Sequence, residues 1–222
     1  MVKAAREGGR VLGVNYNWRF LPGVQRIRQI RDSGELGKLR LLRILAHANV
    51  HNHALDLVRM LGGRVTTVTA RIQDEPARRG FADWTPYAGE LLYMPTISCV
   101  ATLETEDDVH ASLVSSELFD ARGLLLSLDA MFDDGMLTLT GVLDKDGVGT
   151  LTASTGKQVD LRLRRGDAPA GFALSFQRSI EAFYESWRSG AAPPTTGEDG
   201  VEVMRLENAL VRSHQTQSRV EL

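Results

Sequence analysis

Apolar residues recur at helical spacing in several segments of the chain, with charged or polar residues on the opposite faces. Most of these segments end at a glycine, which is a common stop for a helix because glycine adopts the left-handed conformation there. The predicted helices cover residues 1–9, 24–34, 49–63, 172–190 and 196–211. An isolated helix as short as residues 1–9 is not stable in water, so we expect this segment to dock on the rest of the protein.

The two C-terminal helices carry further signals. Thr196 and Asp199 have the spacing of a capping box, in which a hydroxyl and a carboxylate bind the free amides at the start of a helix. The preceding helix has an apolar stripe that we interpret as part of the core, formed by Phe172, Phe176, Ile180, Phe183 and Trp187.

Short runs of alternating or clustered apolar residues predict strands. Asp134-Gly135 and Asp146-Gly147 separate successive runs, and such pairs favour tight hairpins because glycine reaches positive φ. We therefore predict a sheet of about six to eight strands, mostly antiparallel, with one face packed on helices. The predicted strands are residues 10–17, 38–46, a β-rich run from Arg64, and residues 96–104, 109–116, 124–131, 136–143, 148–154 and 159–164.

Composition narrows the class of protein. The chain has 222 residues and a net charge of −2, which gives no electrostatic case for binding nucleic acid or an anionic membrane. The sequence contains neither a signal peptide nor an apolar run of about 20 residues that could span a bilayer. The sequence has a single cysteine, Cys99, so no internal disulfide can form, and we expect the protein in the reducing cytoplasm. Because Cys99 lies on the apolar face of a predicted strand, we expect its thiol to be buried and inert.

Three of the five histidines, His47, His51 and His53, lie within seven positions around the start of the third predicted helix. A neutral imidazole there can act as a general acid or base, because the helix dipole disfavours its protonated form. Asn49 would lie one turn before His53 on the same face, and Asp56 one turn after it. A structural histidine and a metal site are the alternatives, although no one backbone conformation aligns all three imidazoles for zinc.

Four motifs, in order along nearly the whole chain, resemble the glucose–fructose oxidoreductase and inositol dehydrogenase family (Gfo/Idh/MocA). They are VNYNWRFLP at residues 14–22, SGELG at residues 33–37, Asn49 with HALDL at residues 53–57, and PPTTGEDG at residues 193–200 before a final helix and the closing VEL at residues 220–222.

The resemblance implies the C-terminal domain of that family. This is an α+β fold with an open, largely antiparallel or mixed β-sheet packed on helices, like the C-terminal domain of dihydrodipicolinate reductase. We expect residues 1–222 to form a single substrate-binding and oligomerisation domain, with residues 1–9 the remnant of an upstream helix. Family members act on hydroxyl or keto groups of sugars, inositol and related compounds with NAD or NADP. A small polar substrate and a homo-oligomer, such as a dimer through the sheet, are therefore the expected partners.

The resemblance also implies site residues. His53 matches the family's catalytic-site histidine, and Asn49 matches the Asp or Asn one turn before it. Asp56 matches an acid that is usually structural, and we predict that it pairs with Arg19. Substrate contacts are implied for Tyr16, Asn17 and Arg19.

The sequence departs from the family pattern in what precedes these motifs. The family's Rossmann half, and the Glu-Lys-Pro segment whose lysine handles the proton, would lie upstream. Gly147-Val148-Gly149 is a lone fragment with no helix after it, so it predicts no phosphate-binding loop. We therefore expect a cofactor site outside this chain, which alone would be inactive.

Two functional hypotheses follow. In the first, the chain is the substrate-binding portion of a nicotinamide-dependent oxidoreductase, with His53 as acid/base or orienting group. In the second, it is a non-catalytic module that binds a small ligand or dimerises and has lost the dinucleotide-binding half.

Overall fold

The computed structural model describes residues 1–73, 98–116, 126–141 and 149–222. The helices are α1 (Val2–Glu7), α2 (Pro22–Ser33), α3 (His51–Gly62), α4 (Phe172–Ser189) and α5 (Gly197–Thr216), with short 3₁₀ helices at Asn17–Phe20 and Ala48–Val50. The strands are β1 (Leu39–His47), β2 (Val65–Gln73), β3 (Ser98–Thr105), β4 (His110–Ser116), β5 (Leu126–Phe132), β6 (Gly135–Gly141), β7 (Gly149–Thr155) and β8 (Val220–Glu221).

These strands form one open, mixed sheet in the order β7-β6-β5-β1-β4-β3-β2-β8. Among the described strands, only β1 and β4 pair in parallel, and every other neighbouring pair is antiparallel. The Asp134-Gly135 turn joins β5 to β6 as predicted, while Asp146-Gly147 lies outside the described residues. The predicted α+β class, with an open and largely antiparallel or mixed sheet on helices, is confirmed.

The core lies on one face of the sheet. The cross-strand register aligns two rows of buried apolar side chains across six strands, because side chains two residues apart share a face. One row runs through Leu139, Leu128, Ile44, Leu113, Ala101 and Ala70, and the other through Leu137, Ala130, Leu42, Ala111, Leu103 and Val68. Helices α2, α3 and α5 contact strands of this sheet, and their apolar residues belong to the same core cluster.

Distant parts of the chain meet at the start of α5. Thr196 caps the helix by accepting from the Asp199 amide, and the Asp199 carboxylate accepts from the Thr196 amide, so the predicted capping box is confirmed. The extended segment before the first 3₁₀ helix runs alongside this cap. Leu12 accepts from the Gly197 amide at 3.1 Å, and Val14 donates to the Thr195 carbonyl at 3.2 Å.

Two predicted strands are wrong. Residues 10–16 belong to no strand and Asn17 begins the first 3₁₀ helix; the only ladder contact of this segment among the described residues is a single bridge between Gly13 and Thr196. Residues 159–164 form no strand either; their alternating apolar side chains turn inward, but the Asp160 carbonyl accepts from the Arg26 guanidinium instead of a neighbouring strand. In both segments apolar and polar residues alternate as in a strand, but neither segment pairs along its length with a described neighbouring strand.

The interpretation of the aromatic stripe on α4 as core holds for Phe172, which packs against the core cluster, and is wrong for the other four residues. Ile180 and Trp187 are 62% and 59% exposed, and Phe176 and Phe183 are exposed as well. The buried face of α4 is a stripe of small polar residues instead. Ser175 accepts from the Asn17 amide at 2.8 Å, and Ser179 donates to Asn15 at 2.8 Å. These contacts turn the aromatic face of the helix outward.

No helix within the described residues is both long and apolar enough to cross a membrane.

Candidate functional site

The candidate site lies where β1 leads into α3. β1 and β4 run in parallel with His47 opposite Ser116, so the carboxyl ends of both strands meet at one edge of the sheet. In open α/β sheets, ligand crevices form at such carboxyl ends. The 3₁₀ turn Ala48–Val50 carries the chain from β1 into the first turn of α3, which holds His51, Asn52 and His53.

The imidazole of His53 lies between two aromatic rings of the first 3₁₀ helix and its flank. The Tyr16 ring meets it edge-on, with centroids 5.7 Å apart, and the Trp18 ring lies tilted at 5.2 Å. Burial lowers the pKa of His53 to about 4, so the ring is neutral at pH 7. Its Nδ1 atom is buried and has no hydrogen-bond partner among the described residues. A neutral imidazole with an unsatisfied ring nitrogen is suited to exchange a hydrogen bond or a proton with a ligand.

Tyr16 keeps its proton in this environment. Burial and, less strongly, the charges of Asp56 and Glu207 raise the pKa of its phenol well above the usual range. The hydroxyl therefore remains a hydrogen-bond donor at any physiological pH.

The predicted pairing of Arg19 with Asp56 is confirmed. Arg19 Nε donates to Asp56 Oδ2 at 2.7 Å and Nη2 to Oδ1 at 2.6 Å, which is the bidentate geometry of a strong charge-assisted pair. The Asp56 side chain is fully buried. Burial acts to lower the pKa of Arg19, but the hydrogen bonds and charges of Asp56 and Asp199 outweigh it and raise that pKa.

Arg19 has few donors left for a ligand. Its Nη1 donates to the Pro194 carbonyl at 3.0 Å, and its Nη2 lies 3.2 Å from Asp199 Oδ1, an oxygen that Arg59 Nη1 also approaches at 3.2 Å. The guanidinium thus joins the first 3₁₀ helix, α3 and the start of α5.

The other predicted site residues lie in different places. Asn17 is buried and its amide donates to the Ser175 hydroxyl on α4. Asn49 belongs by its backbone to the 3₁₀ turn before α3, but its side chain lies outside the described residues. The structure therefore brings Tyr16 and Arg19 to the His53 turn and directs Asn17 to the neighbouring helix.

The three neighbouring histidines do not converge. His47 is buried at the end of β1, and His51 Nε2 lies 3.1 Å from Glu207 Oε1 on α5. Within the described ranges, no group of three or more His, Cys, Asp or Glu side chains is arranged to hold a metal ion. Cys99 is buried, and burial raises the pKa of its thiol to about 11, so it is protonated and inert as expected.

Sequence reasoning missed three members of this site. Trp18 lies within the first motif, but no role was assigned to it, and no sequence pattern indicated a role for Arg59 or Glu207. Glu207 and Arg59 meet their partners across 156 and 140 residues, which no local pattern indicates.

The connection between β1 and α3 lacks the glycine-rich turn of a dinucleotide site. Such a site needs a glycine-rich turn between a strand and a helix, so that backbone amides can approach the pyrophosphate. The strand-to-helix connection from β1 to α3 is His47-Ala48-Asn49-Val50-His51 and has no glycine. Of the fragment Gly147-Val148-Gly149, only Gly149 lies within the described residues.

The chain thus combines an open mixed sheet, packed on helices, with a buried histidine at the edge where its two parallel strands end. A family model described as "Oxidoreductase family, C-terminal alpha/beta domain" matches residues 48–222. The chain belongs to the Gfo/Idh/MocA family and corresponds to its C-terminal domain.

Similar proteins agree with this assignment. The uncharacterized oxidoreductase YrbE of Bacillus subtilis (strain 168) is 26% identical over 233 residues, a match covering 95% of this chain and 62% of YrbE. The WlbA dehydrogenase of Bordetella pertussis, solved with NADH and UDP-GlcNAcA, has a TM-score of 0.78 at 19% identity. The aldose-aldose oxidoreductase of Caulobacter crescentus, solved with glycerol, has a TM-score of 0.75 at 18% identity. Each structure matches 100% of this chain over 67% of its own length, so this chain has the fold of about two thirds of those proteins.

Proposed function

We propose that this chain is the substrate-binding, C-terminal portion of a nicotinamide-dependent oxidoreductase that acts on a sugar, a cyclitol or a related hydroxyl or keto compound. His53 is its acid/base or substrate-orienting group. The observation that carries the proposal is the His53 ring itself, which is neutral, lies between Tyr16 and Trp18, and has an unpartnered buried Nδ1 among the described residues.

The site suits a polyhydroxylated ligand. The Tyr16 and Trp18 rings offer apolar faces with polar edges, and the Tyr16 phenol is a donor because its pKa is raised. A carbinol hydroxyl that loses its proton, or a carbonyl oxygen that gains one, needs a group whose protonation can change beside it, and the His53 imidazole is such a group. We propose that Asn49 orients the ligand or the His53 ring from the preceding turn.

We assign Arg19 and Asn17 to positioning. Arg19 fixes Tyr16 and Trp18 relative to His53 through Asp56, because its donors are already bound. Asn17 holds the same 3₁₀ turn to α4 through Ser175. Related proteins support the substrate class, since the WlbA dehydrogenase was solved in complex with UDP-GlcNAcA and the aldose-aldose oxidoreductase in complex with glycerol. NAD or NADP would be held by residues outside the described part of this chain.

The test is a titration of the purified chain with a panel of sugars, inositols and their keto counterparts, followed by the NMR signals of the His53 ring. We expect at least one compound to shift these signals and the His53→Gln variant to bind it more weakly. His110→Gln is the matched control, because His110 is an exposed histidine on β4. A panel that leaves the His53 signals unmoved would refute the proposal.

A second candidate is a dimerisation module that acts through the uncovered face of the sheet. Val100 on this face is half exposed, and in the register it aligns with Val114 and Leu45 in one apolar row. Beside this row, Asp129 is almost fully buried and pairs with Arg43 and Thr138, which gives the face a fixed polar centre. We propose that a second copy of the chain covers this face.

Sedimentation velocity tests this candidate. We expect Val100→Lys to shift the chain towards a monomer, because a buried lysine would be unpaired in the interface. Val201→Lys on α5 is the control, since Val201 is exposed elsewhere on the surface. A wild-type chain that stays monomeric at high concentration would rule the dimer out and leave the small-ligand alternative.

A further inference from the structure

A cavity lies beside the first 3₁₀ helix. It has a volume of about 250 Å³ and opens between α2, the first turns of α4 and the segment 162–167, part of which was expected to be a strand. Phe20, the neighbour of Arg19 in the sequence, forms part of its wall. Its polar lining includes Arg26, Arg162, Arg164, Asp167 and Arg178.

Four arginines from three separate segments thus converge on one small space, although the whole chain has a net charge of −2. Scattered surface arginines would point into solvent from their own elements. Here Arg26 Nε donates to the Asp160 carbonyl at 2.8 Å and Nη1 to Gln29 at 3.0 Å, so α2 holds the segment that carries Arg162 and Arg164. The backbone that carries Arg162 and Arg164 is in this way held beside the cavity.

Two of the four positive charges are already neutralised. Arg178 Nη2 lies 3.0 Å from both oxygens of Asp167, and Arg162 binds both oxygens of Asp160 at 2.8 to 2.9 Å. Arg26 donates to the Asp160 carbonyl and to Gln29, and its charge also helps to lower the pKa of the Asp160 carboxyl, which Arg162 already binds. The Arg164 side chain has no hydrogen bond or ion pair with the described residues, and no carboxylate among them other than those two belongs to the cavity or its pairs. The cavity therefore keeps two positive charges.

The four guanidinium groups exceed the two carboxylates paired with them by two charges, and this excess beside an apolar wall of Phe20 and Pro22 selects a particular chemistry. A phosphate monoester carries nearly two negative charges at pH 7, and its oxygens match the planar fork of arginine. A carboxylate carries only one, and a neutral sugar none. We propose that this cavity binds the phosphate group of a small phosphate monoester, or free inorganic phosphate, with Arg164 as its principal ligand and Arg26 beside it.

This inference stands apart from the proposed function, because none of the cavity residues contacts the His53 ring. The first 3₁₀ helix nevertheless separates the two sites, with Arg19 turned to Asp56 and Phe20 to the cavity. Gln25, which also lines the cavity, donates to the Arg19 carbonyl.

Isothermal titration calorimetry of the whole chain tests the proposal, with inorganic phosphate, glucose 6-phosphate, glucose and NAD⁺ as separate ligands at low salt. We expect heat from phosphate or glucose 6-phosphate, and any heat from glucose, which could bind at the His53 site, should be the same in the wild type and in Arg164→Gln. Binding of inorganic phosphate alone would identify free phosphate as the ligand, and stronger binding of the sugar phosphate would identify a monoester. Because a charge-assisted hydrogen bond is lost, Arg164→Gln should weaken this binding about tenfold.

Arg188→Gln is the matched control, since Arg188 is an exposed arginine of α4 that pairs with Glu185 and does not line the cavity. Arg164 is exposed, so its replacement should leave the melting temperature unchanged, and Arg164→Lys should restore only part of the affinity because lysine lacks the fork. Equal weakening by Arg164→Gln and Arg188→Gln would show nonspecific attraction and overturn the proposal. So would heat from NAD⁺ alone, or the absence of heat from both phosphate ligands.

Discussion

Arg19 and Asp56 form a two-bond ion pair in which the carboxylate has no exposed surface. The two residues lie 37 positions apart, on the first 3₁₀ helix and on α3. Because Tyr16 and Trp18 lie close to Arg19 in the sequence and His53 is one turn before Asp56, this pair sets the distance between the aromatic rings and the imidazole.

Breaking this pair should cost much of the stability of the chain. Arg19→Ala leaves the Asp56 charge buried and unpaired, so we expect the free energy of unfolding in urea to fall by about 3 to 5 kcal/mol. The matched control is Arg64→Ala, because Arg64 and Glu106 form an exposed pair. That change should cost less than about 1 kcal/mol. Unchanged stability of Arg19→Ala would contradict a structural role for the pair.

The lowered pKa of His53 makes stability depend on pH in a defined window. The folded ring titrates at about 4, whereas the unfolded ring titrates near its ordinary value of 6.5. The unfolded state therefore binds the proton first, and the wild type should lose stability as the pH falls from about 6.5 to about 4. His53→Gln should remove this part of the loss, up to about 3 kcal/mol, when unfolding is measured at both pH values.

The titration itself can be followed by NMR. We expect the His53 ring signals to stay constant down to about pH 5 in the folded chain, since the pKa lies at about 4. The His110→Gln variant should show the same pH dependence of stability as the wild type. A His53 signal that titrates near the ordinary histidine value would mean that the ring is solvated.

The buried serines of α4 should contribute to the stability of the chain through their hydrogen bonds. Ser175→Ala removes the acceptor of the buried Asn17 amide, and an unpaired buried amide costs about 1 to 3 kcal/mol. Ser189→Ala is a suitable control, because the Ser189 hydroxyl is exposed and bonds only to carbonyls within its own helix. Urea unfolding of both variants measures the difference. Equal stability of the two would show that Asn17 finds another partner.

Charged substitutions on the exposed aromatic face of α4 should change the free energy of unfolding little. Ile180→Glu and Trp187→Glu change side chains that are already more than half exposed, so we expect the unfolding free energy to stay within about 0.5 kcal/mol. Ile27→Ala, in the buried face of α2, should cost about 2 to 5 kcal/mol by comparison. Thermal and urea unfolding distinguish the two cases. A large loss in the Glu variants would place the stripe in the core after all.

Local patterns predicted the elements better than their arrangement. Within the described residues, glycine stops and alternation located all five helices and seven of the eight strands to within about five residues, and they also predicted two strands that do not form, because they report on local backbone conformation. They could not supply the strand order or the parallel β1–β4 pair, which depend on contacts between residues far apart in sequence. The α4 stripe shows the same limit: periodicity identifies an apolar face without saying whether another element covers it.

The site divides in the same way. The first motif and its resemblance to a family led to Arg19, Asp56 and His53, which the structure brings together around one turn. The resemblance implied a substrate contact for Asn17. The structure adds a hydrogen bond from its amide to Ser175, 158 residues away, which no local sequence pattern indicates. The arginine cavity was equally hidden, since its cations come from three segments that each look like an ordinary solvated surface.

The backbone bonds between residues 12–14 and residues 195–197 have a consequence for synthesis on the ribosome. Leu12 and Val14 find their partners only when Thr195 and Gly197 have emerged, about 180 residues later. At ordinary elongation rates this takes roughly 10 to 40 s. During that interval residues 12–14 lack these backbone partners, so the segment stays accessible to chaperones. Shortening the interval by placing residues 195–222 ahead of residue 1, in a circular permutant, should reduce this dependence.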